Sequence, residues 1–102
     1  MYRAGDEVNQ REWLQELDAV ADRLELGSDA RSTAQELFLT DLPDEDRSKR
    51  AVLAASVYAA ALIAGEQRSQ TKVAEAADVS RLSIQGRWKE LLESAGLDAP
   101  GW

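Results

Sequence analysis

Five residues near the C-terminal end of the chain form a group suited to molecular recognition. Arg81, Leu82, Gln85, Gly86 and Lys89 lie within "SRLSIQGRWKELL", residues 80 to 92, where Ile84, Trp88 and Leu91 begin an apolar stripe that continues to Ala95. On a helix the stripe faces inward and the five residues occupy the opposite face. Gln makes a two-point hydrogen bond with adenine, Leu packs on a thymine methyl, and Arg or Lys binds phosphates or bases. Together they have the chemistry of a groove-reading face. Gly86 costs about 1 kcal/mol of helix propensity relative to Ala, so it marks either close packing against another helix or close approach to a DNA backbone.

Catalytic equipment is sparse. The 102 residues include no Cys and no His, which removes thiolate nucleophiles, disulfides, cysteine-based zinc sites and the usual general base. The carboxylates fall on amphipathic helix faces with no Gly-rich phosphate loop beside them. We therefore expect no enzyme, no cofactor and no bound metal.

The net charge of −7 conceals an asymmetry. Residues 1 to 46 carry 4 basic and 13 acidic side chains, whereas residues 47 to 102 carry 8 basic and 6 acidic ones. Between Arg68 and Lys89 five basic residues (Arg68, Lys72, Arg81, Arg87, Lys89) stand against Glu75 and Asp78. A polyanion partner would meet that segment, although charged helix faces also exist simply to be solvated. Only 3 of the 12 basic residues are Lys, and 19 acidic residues outnumber them, a balance suited to high salt where self-repulsion is screened. A halophilic setting is the expectation.

Apolar spacing lays out the elements that position this face. Trp13, Leu14, Leu17, Val20, Ala21 and Leu24 predict a first helix over about 9 to 25, stopped by Gly27 and Ser28. Ser28 or Asp29 caps a second over 29 to 41, with Ala34, Leu37 and Phe38 inward, and Pro43 ends it. "DLPDEDRSKR" then leads to "AVLAASVYAAALIAG", residues 51 to 65, with Asp44 and Asp46 suited to its start. That run falls short of the roughly 18 to 20 apolar residues that span a bilayer, so it reads as a buried hub rather than a membrane segment. Ser69 caps a fourth helix carrying Val73, Ala74 and Ala77, Asp78-Val79 makes a turn, and Ser80 caps the fifth helix. The fold class is all-α, with five helices and a C-terminal helix-turn-helix.

The helix-turn-helix reading has physical requirements. A small residue must sit where the two helices cross, and the turn needs positive φ followed by apolar anchors. Ala74 meets the first, Asp78 tolerates the left-handed region better than most non-glycines, and Val79 and Ile84 serve as anchors. The aromatic residues Trp13, Phe38, Tyr58 and Trp88 read as core. Trp102, after Pro100-Gly101, is either tucked over the domain or offered to a partner.

The run from Arg47 to Leu92 resembles the second half of a cyclin-like repeat of transcription factor IIB, especially its archaeal form. The likeness rests on the hub with Ala54, Ala55 and Tyr58, on Arg68-Ser69, and on "DVSRLSIQGRWKELL"; with the two preceding helices it covers about residues 8 to 95. The resemblance implies that the final two helices contact a promoter element beside the TATA box, and that the repeat grips TATA-binding protein and polymerase. Three departures qualify it. Without Cys there is no zinc ribbon, and one repeat fits where the full factor has two, so polymerase is not expected to be recruited in the ordinary way. Leu82 and Gln85 stand where the family usually offers Val and Arg to the bases. Lys72 stands where Glu often completes a capping box with the residue at Ser69.

From these readings we expect a tail over residues 1 to 7, a cyclin-like domain over 8 to 96 with its helix-turn-helix at about 69 to 95, and a tail over 97 to 102. Leu82, Gln85 and Arg81 are the base-reading candidates. Arg47, Lys49, Arg50, Arg68, Lys72, Arg87 and Lys89 are the phosphate candidates, with Arg81 able to join them. The expected partner is double-stranded DNA, with TATA-binding protein or another transcription protein and a second copy of the chain as further candidates. No secretory signal is evident, so a cytoplasmic, nucleoid-associated location is expected. The rival expectation is a protein-interaction module that modulates the basal transcription machinery without touching DNA.

Overall fold

A helix that is apolar all round must be covered all round. Residues 51 to 62 satisfy that demand throughout: every one is buried, from Ala51 to Leu62. The computed structural model describes residues 4–40 and 46–96, with side chains from Arg11 to Thr40 and from Lys49 to Gly96. Six helical segments follow in order: α1 (Ala4–Arg23), α2 (Ser28–Thr40), α3 (Asp46–Ile63), α4 (Gln70–Ala77), α5 (Arg81–Gln85) and α6 (Trp88–Ser94). The hub is α3, which packs against each of the other five. Its alanines keep the surrounding axes close, and Val52, Leu53, Val57 and Leu62 fill the spaces between them. Among the described residues there is no strand, and no helix is long and apolar enough to cross a membrane.

α5 and α6 together take the place of the expected fifth helix, so the five-helix bundle stands with its last helix divided. The break lies at Gly86 (φ −84°, ψ −3°) and Arg87 (φ −127°, ψ −28°). Arg87 donates its N–H to the Ile84 carbonyl, and Leu91 resumes regular bonding to the Arg87 carbonyl. Ile84 before the break and Trp88, Leu91 and Leu92 after it are all buried, so both pieces keep their apolar side on the hub. Tyr58 of α3 meets Trp88 edge-on, with ring centroids 5.4 Å apart. Trp13 of α1 and Phe38 of α2 form a second aromatic pair at 6.5 Å. Trp102 lies outside the described residues, as do Pro43 and Asp44.

Helix ends explain how α1 differs from its expected limits. It begins at Ala4, before any apolar repeat shows it, and ends at Arg23. Gly27 does not provide the stop. Instead Glu25 adopts φ 58°, donating to the Asp22 carbonyl while Leu26 donates to Ala21. Gly65 (φ 77°) ends α3 in the same way, with Gly65 bonded to Leu62 and Glu66 to Ala61. Gly27 has another use: its N–H bonds Glu66 Oε1 at 3.0 Å, and a Cβ there would meet that carboxylate at 3.1 Å. The loop after α3 is thereby fastened to the start of α2.

Candidate nucleic-acid interface

The turn between α4 and α5 determines which side chains reach the surface together. Ser69 (φ −66°, ψ 153°) caps α4, its Oγ accepting the Lys72 N–H at 3.0 Å. Asp78 ends α4 in the left-handed region at φ 59°, ψ 48°, and Val79 donates back to the Ala74 carbonyl at 3.0 Å. Val73, Ala74, Ala77 and Ile84 are buried, with Val79 packed against the same core. Ser80 is extended before α5 but makes no side-chain cap; its Oγ lies 3.3 Å from Ser83 Oγ.

What remains outward is the face anticipated from spacing. Leu82 is 70% exposed, far more than Leu39 at 44% or Ile63 at 38%. Arg81, Gln85, Gly86, Arg87 and Lys89 are exposed around it. Arg81 Nη1 bonds Gln85 Oε1 at 3.1 Å and Gln70 Oε1 at 3.4 Å. Gln70, the first residue of α4, is a participant that sequence reasoning missed. Eleven positions separate it from Arg81, and only the folded turn brings the two helix starts together. Lys89 Nζ rests 5.5 Å from the Trp88 ring centroid. Ser80, Leu82, Ser83, Gly86, Arg87 and Glu90 line a shallow hollow of about 450 Å³ on this face.

The other phosphate candidates do not all converge there. Lys72 is exposed on α4, beside the cleft at the end of α1. Arg68, half-buried, is committed to the fold: Nε donates to the Leu24 carbonyl at 3.0 Å, Nη1 to the Glu66 carbonyl at 2.8 Å and the Gln67 carbonyl at 3.3 Å, and Nη2 to the Glu25 carbonyl at 3.4 Å. It clamps the α1–α2 turn to the α3–α4 loop. Arg50 is also turned inward, with Nη1 at 3.2 Å from both Glu16 Oε2 and the Ala77 carbonyl and its guanidinium 5.4 Å from the Trp13 ring centroid. Positive charge put both residues among the phosphate candidates, but charge counting is blind to side-chain direction. Lys49 is half-buried on α3, and the Arg47 side chain lies outside the described residues although its backbone is in the first turn of that helix. No group of three or more His, Cys, Asp or Glu side chains suited to a metal ion occurs among the described residues.

Comparison with known proteins meets this arrangement at the level of the whole repeat. The family model for the transcription factor TFIIB repeat matches residues 7–94. The chain belongs to the TFIIB repeat family. It is 40% identical over 77 residues to transcription initiation factor IIB 6 of Halobacterium salinarum, covering 72% of this chain and 24% of that protein. Over 80 residues it is 32% identical to a transcription initiation factor IIB of Haloarcula vallismortis, covering 76% of this chain and 70% of that protein. A transcription initiation factor IIB of Pyrococcus horikoshii is 41% identical over 54 residues, 53% of this chain and 18% of that protein. The chain thus spans less than a quarter of the Halobacterium and Pyrococcus factors but most of the Haloarcula one.

Proposed function

We propose that this TFIIB-repeat protein is a small, non-enzymatic DNA-binding transcriptional regulator that reads a major groove with α5 of an α4–turn–α5 helix-turn-helix. The observation that carries the reading is the exposure of Leu82. A large apolar side chain 70% exposed and ringed by the exposed Arg81, Gln85, Arg87 and Lys89 is open to contact with a thymine methyl while its neighbours reach base edges and phosphates. Leu82, Gln85 and Arg81 take the base edges, while Arg87, Lys89 and Lys72 take phosphates. Arg50 and Arg68 serve the fold instead. A single short recognition helix makes few contacts, so a second copy or a tethering protein such as TATA-binding protein would raise affinity to a useful level.

In-vitro selection on a random duplex library, repeated at several KCl concentrations, tests the proposal. Gln85→Ala should change the preferred sequence. Lys89→Ala should weaken binding uniformly across sequences and reduce the salt slope by about 1. Variants indistinguishable from the parent on its selected site would remove α5 as the reading element.

A cleft favours a second reading, the protein-interaction module. Arg23, Leu24, Glu25, Arg68, Lys72, Glu75 and Ala76 enclose about 460 Å³ between the end of α1 and α4. Charges of both signs at its rim suit a protein chain better than a polyanion. Selection yielding no enriched sequence, together with TATA-binding protein capture abolished by Lys72→Glu, would favour this reading.

A further inference from the structure

Every charged side chain that the DNA reading uses is cationic, yet the same face carries a carboxylate. Glu90 is exposed in the first turn of α6 and lines the hollow shared by Leu82, Gly86 and Arg87. Leu82, Gly86 and Glu90 follow at intervals of four, so they form one strip that runs from α5 across the break into α6. The middle of the strip is open: apart from its chain neighbours, a Cβ on Gly86 would meet only the Leu82 carbonyl, at 3.6 Å. Arg87 borders the hollow too, but among the described residues no ion pair joins it to Glu90.

A carboxylate on a DNA-facing surface is repelled by phosphates and gains only where a base offers it a donor. Of the side chains lining the hollow it alone accepts without donating: the hydroxyls of Ser80 and Ser83 do both, and Arg87 only donates. Major-groove edges carry two donors, the N4 amino group of cytosine and the N6 amino group of adenine. Adenine sets the acceptor N7 beside its amino group, where the second carboxylate oxygen would meet it, whereas the cytosine edge carries the donor alone. Guanine and thymine present acceptors. We infer that Glu90 is a specificity-determining residue whose carboxylate accepts the N4 amino group of a cytosine in the groove that Leu82 enters. Eight residues of helix span about 12 Å against about 3.4 Å per base pair, so this cytosine lies within about four base pairs of the pair under Leu82.

The role of Glu90 rests on the proposed DNA reading, and the test separates the two. The full chain and its Glu90→Ala variant are each selected on a random duplex library, which locates the base pair whose preference the variant loses. Fluorescence anisotropy then compares four duplexes that differ only at that pair, with the parent, Glu90→Ala, Glu90→Gln and Arg87→Ala. The parent should favour cytosine there by at least about fivefold, the lower end for a good base contact. Glu90→Ala should bring the four duplexes level. Glu90→Gln should raise adenine to at least the level of cytosine, because an amide donates to N7 while it accepts from N6. Identical selected sites for the parent and Glu90→Ala would overturn the role: with affinity raised on every duplex the carboxylate merely repels phosphate, and with a lowered thermal midpoint it merely serves the helix dipole of α6. A base other than cytosine preferred by the parent at that pair would overturn it as well, and so would loss of the same preference in Arg87→Ala, which would make Glu90 act through Arg87. All of these leave DNA reading in place. No enriched sequence with the parent would overturn both. Glu90 is exposed, and circular dichroism of each variant confirms that preference is read on a folded protein.

Discussion

Ser56 lies in the middle of the hub, fully buried, and its hydroxyl has no hydrogen-bond partner among the described residues. An unpaired buried hydroxyl costs about 1–3 kcal/mol by mutational measure, and an alanine at this position removes only the one oxygen. Ser56→Ala should therefore raise the urea midpoint with an unchanged m-value, a gain of about 1 kcal/mol. A loss of stability would mean that the hydroxyl is satisfied in solution. Arg68 is the opposite case, a charged group whose donors are spent on four main-chain carbonyls. Hydrogen bonds to charged groups contribute about 1.5–3 kcal/mol, so Arg68→Ala should destabilise by at least about 1 kcal/mol in urea and, on the proposed DNA reading, leave the salt slope of binding unaltered. A reduced slope with unchanged stability would return Arg68 to the phosphate contacts. Neither role was legible in the sequence. The spacing of Ala54, Ala55 and Tyr58 shows that α3 is buried but not whether a hydroxyl within it finds a partner, and Arg68 reads as one more positive charge.

At the scale of elements, apolar periodicity located α1, α2, α4 and the α5–α6 stretch, because burial of one side is what both the sequence pattern and the packing express, whereas α3, buried all round, was marked by its unbroken apolar run. Ends were less legible where local backbone chemistry decides them. Glu25 terminates α1 at positive φ two residues before the glycine that looks like the stop, and Gly86–Arg87 breaks a helix whose apolar stripe runs through without interruption. Gly86 illustrates the difference. Of the two explanations available from sequence, close packing against another helix fails: apart from its chain neighbours, a Cβ at this position would meet only the Leu82 carbonyl at 3.6 Å, an ordinary contact. Its φ of −84° suits any residue. Gly86→Ala should therefore stabilise the fold by about 0.4–1 kcal/mol, through lost freedom of the unfolded chain. On the proposed DNA reading the added methyl stands at the hollow lined by Leu82 and Arg87, so the same variant should bind the selected duplex more weakly. Stability and affinity measured on one sample would thus move in opposite directions. A gain in both would show that DNA does not approach Gly86.

The whole molecule carries 19 acidic and 12 basic residues, and the folded form does not spread them evenly. Glu12, Asp18, Asp22, Asp29 and Glu36 are all exposed on α1 and α2. Opposing their repulsion are short pairs: Arg31 Nη1 to Asp22 at 2.7 Å and Arg50 Nη1 to Glu16 at 3.2 Å, with Arg23–Glu16 and Arg31–Asp18 longer at 3.9 and 4.0 Å. Salt acts on the two kinds of interaction unequally. The Debye length falls from about 10 Å at 0.1 M to about 3 Å at 1 M, so repulsion spread over a helix face is screened first while contact pairs persist. Exposed pairs of this kind contribute only about 0–1 kcal/mol each, too little for their weakening to dominate. KCl should therefore raise the thermal midpoint of the free protein, with most of the rise complete by about 1 M if screening is the cause. A continuing rise beyond that would indicate ion exclusion from the surface, and maximal stability at low salt would refute adaptation to high salt altogether. On the proposed DNA reading, affinity depends on the opposite sign of the same variable. Phosphate contacts lose their counterion-release contribution as salt rises, and a protein making several of them loses decades of affinity. If this repeat works at molar KCl, its binding must rest on the contacts salt weakens least, the Leu82 methyl packing and the direct hydrogen bonds of Gln85. The expected outcome is a shallow salt slope beside a strong base preference; a steep slope with little preference would mark a protein that holds DNA by charge alone.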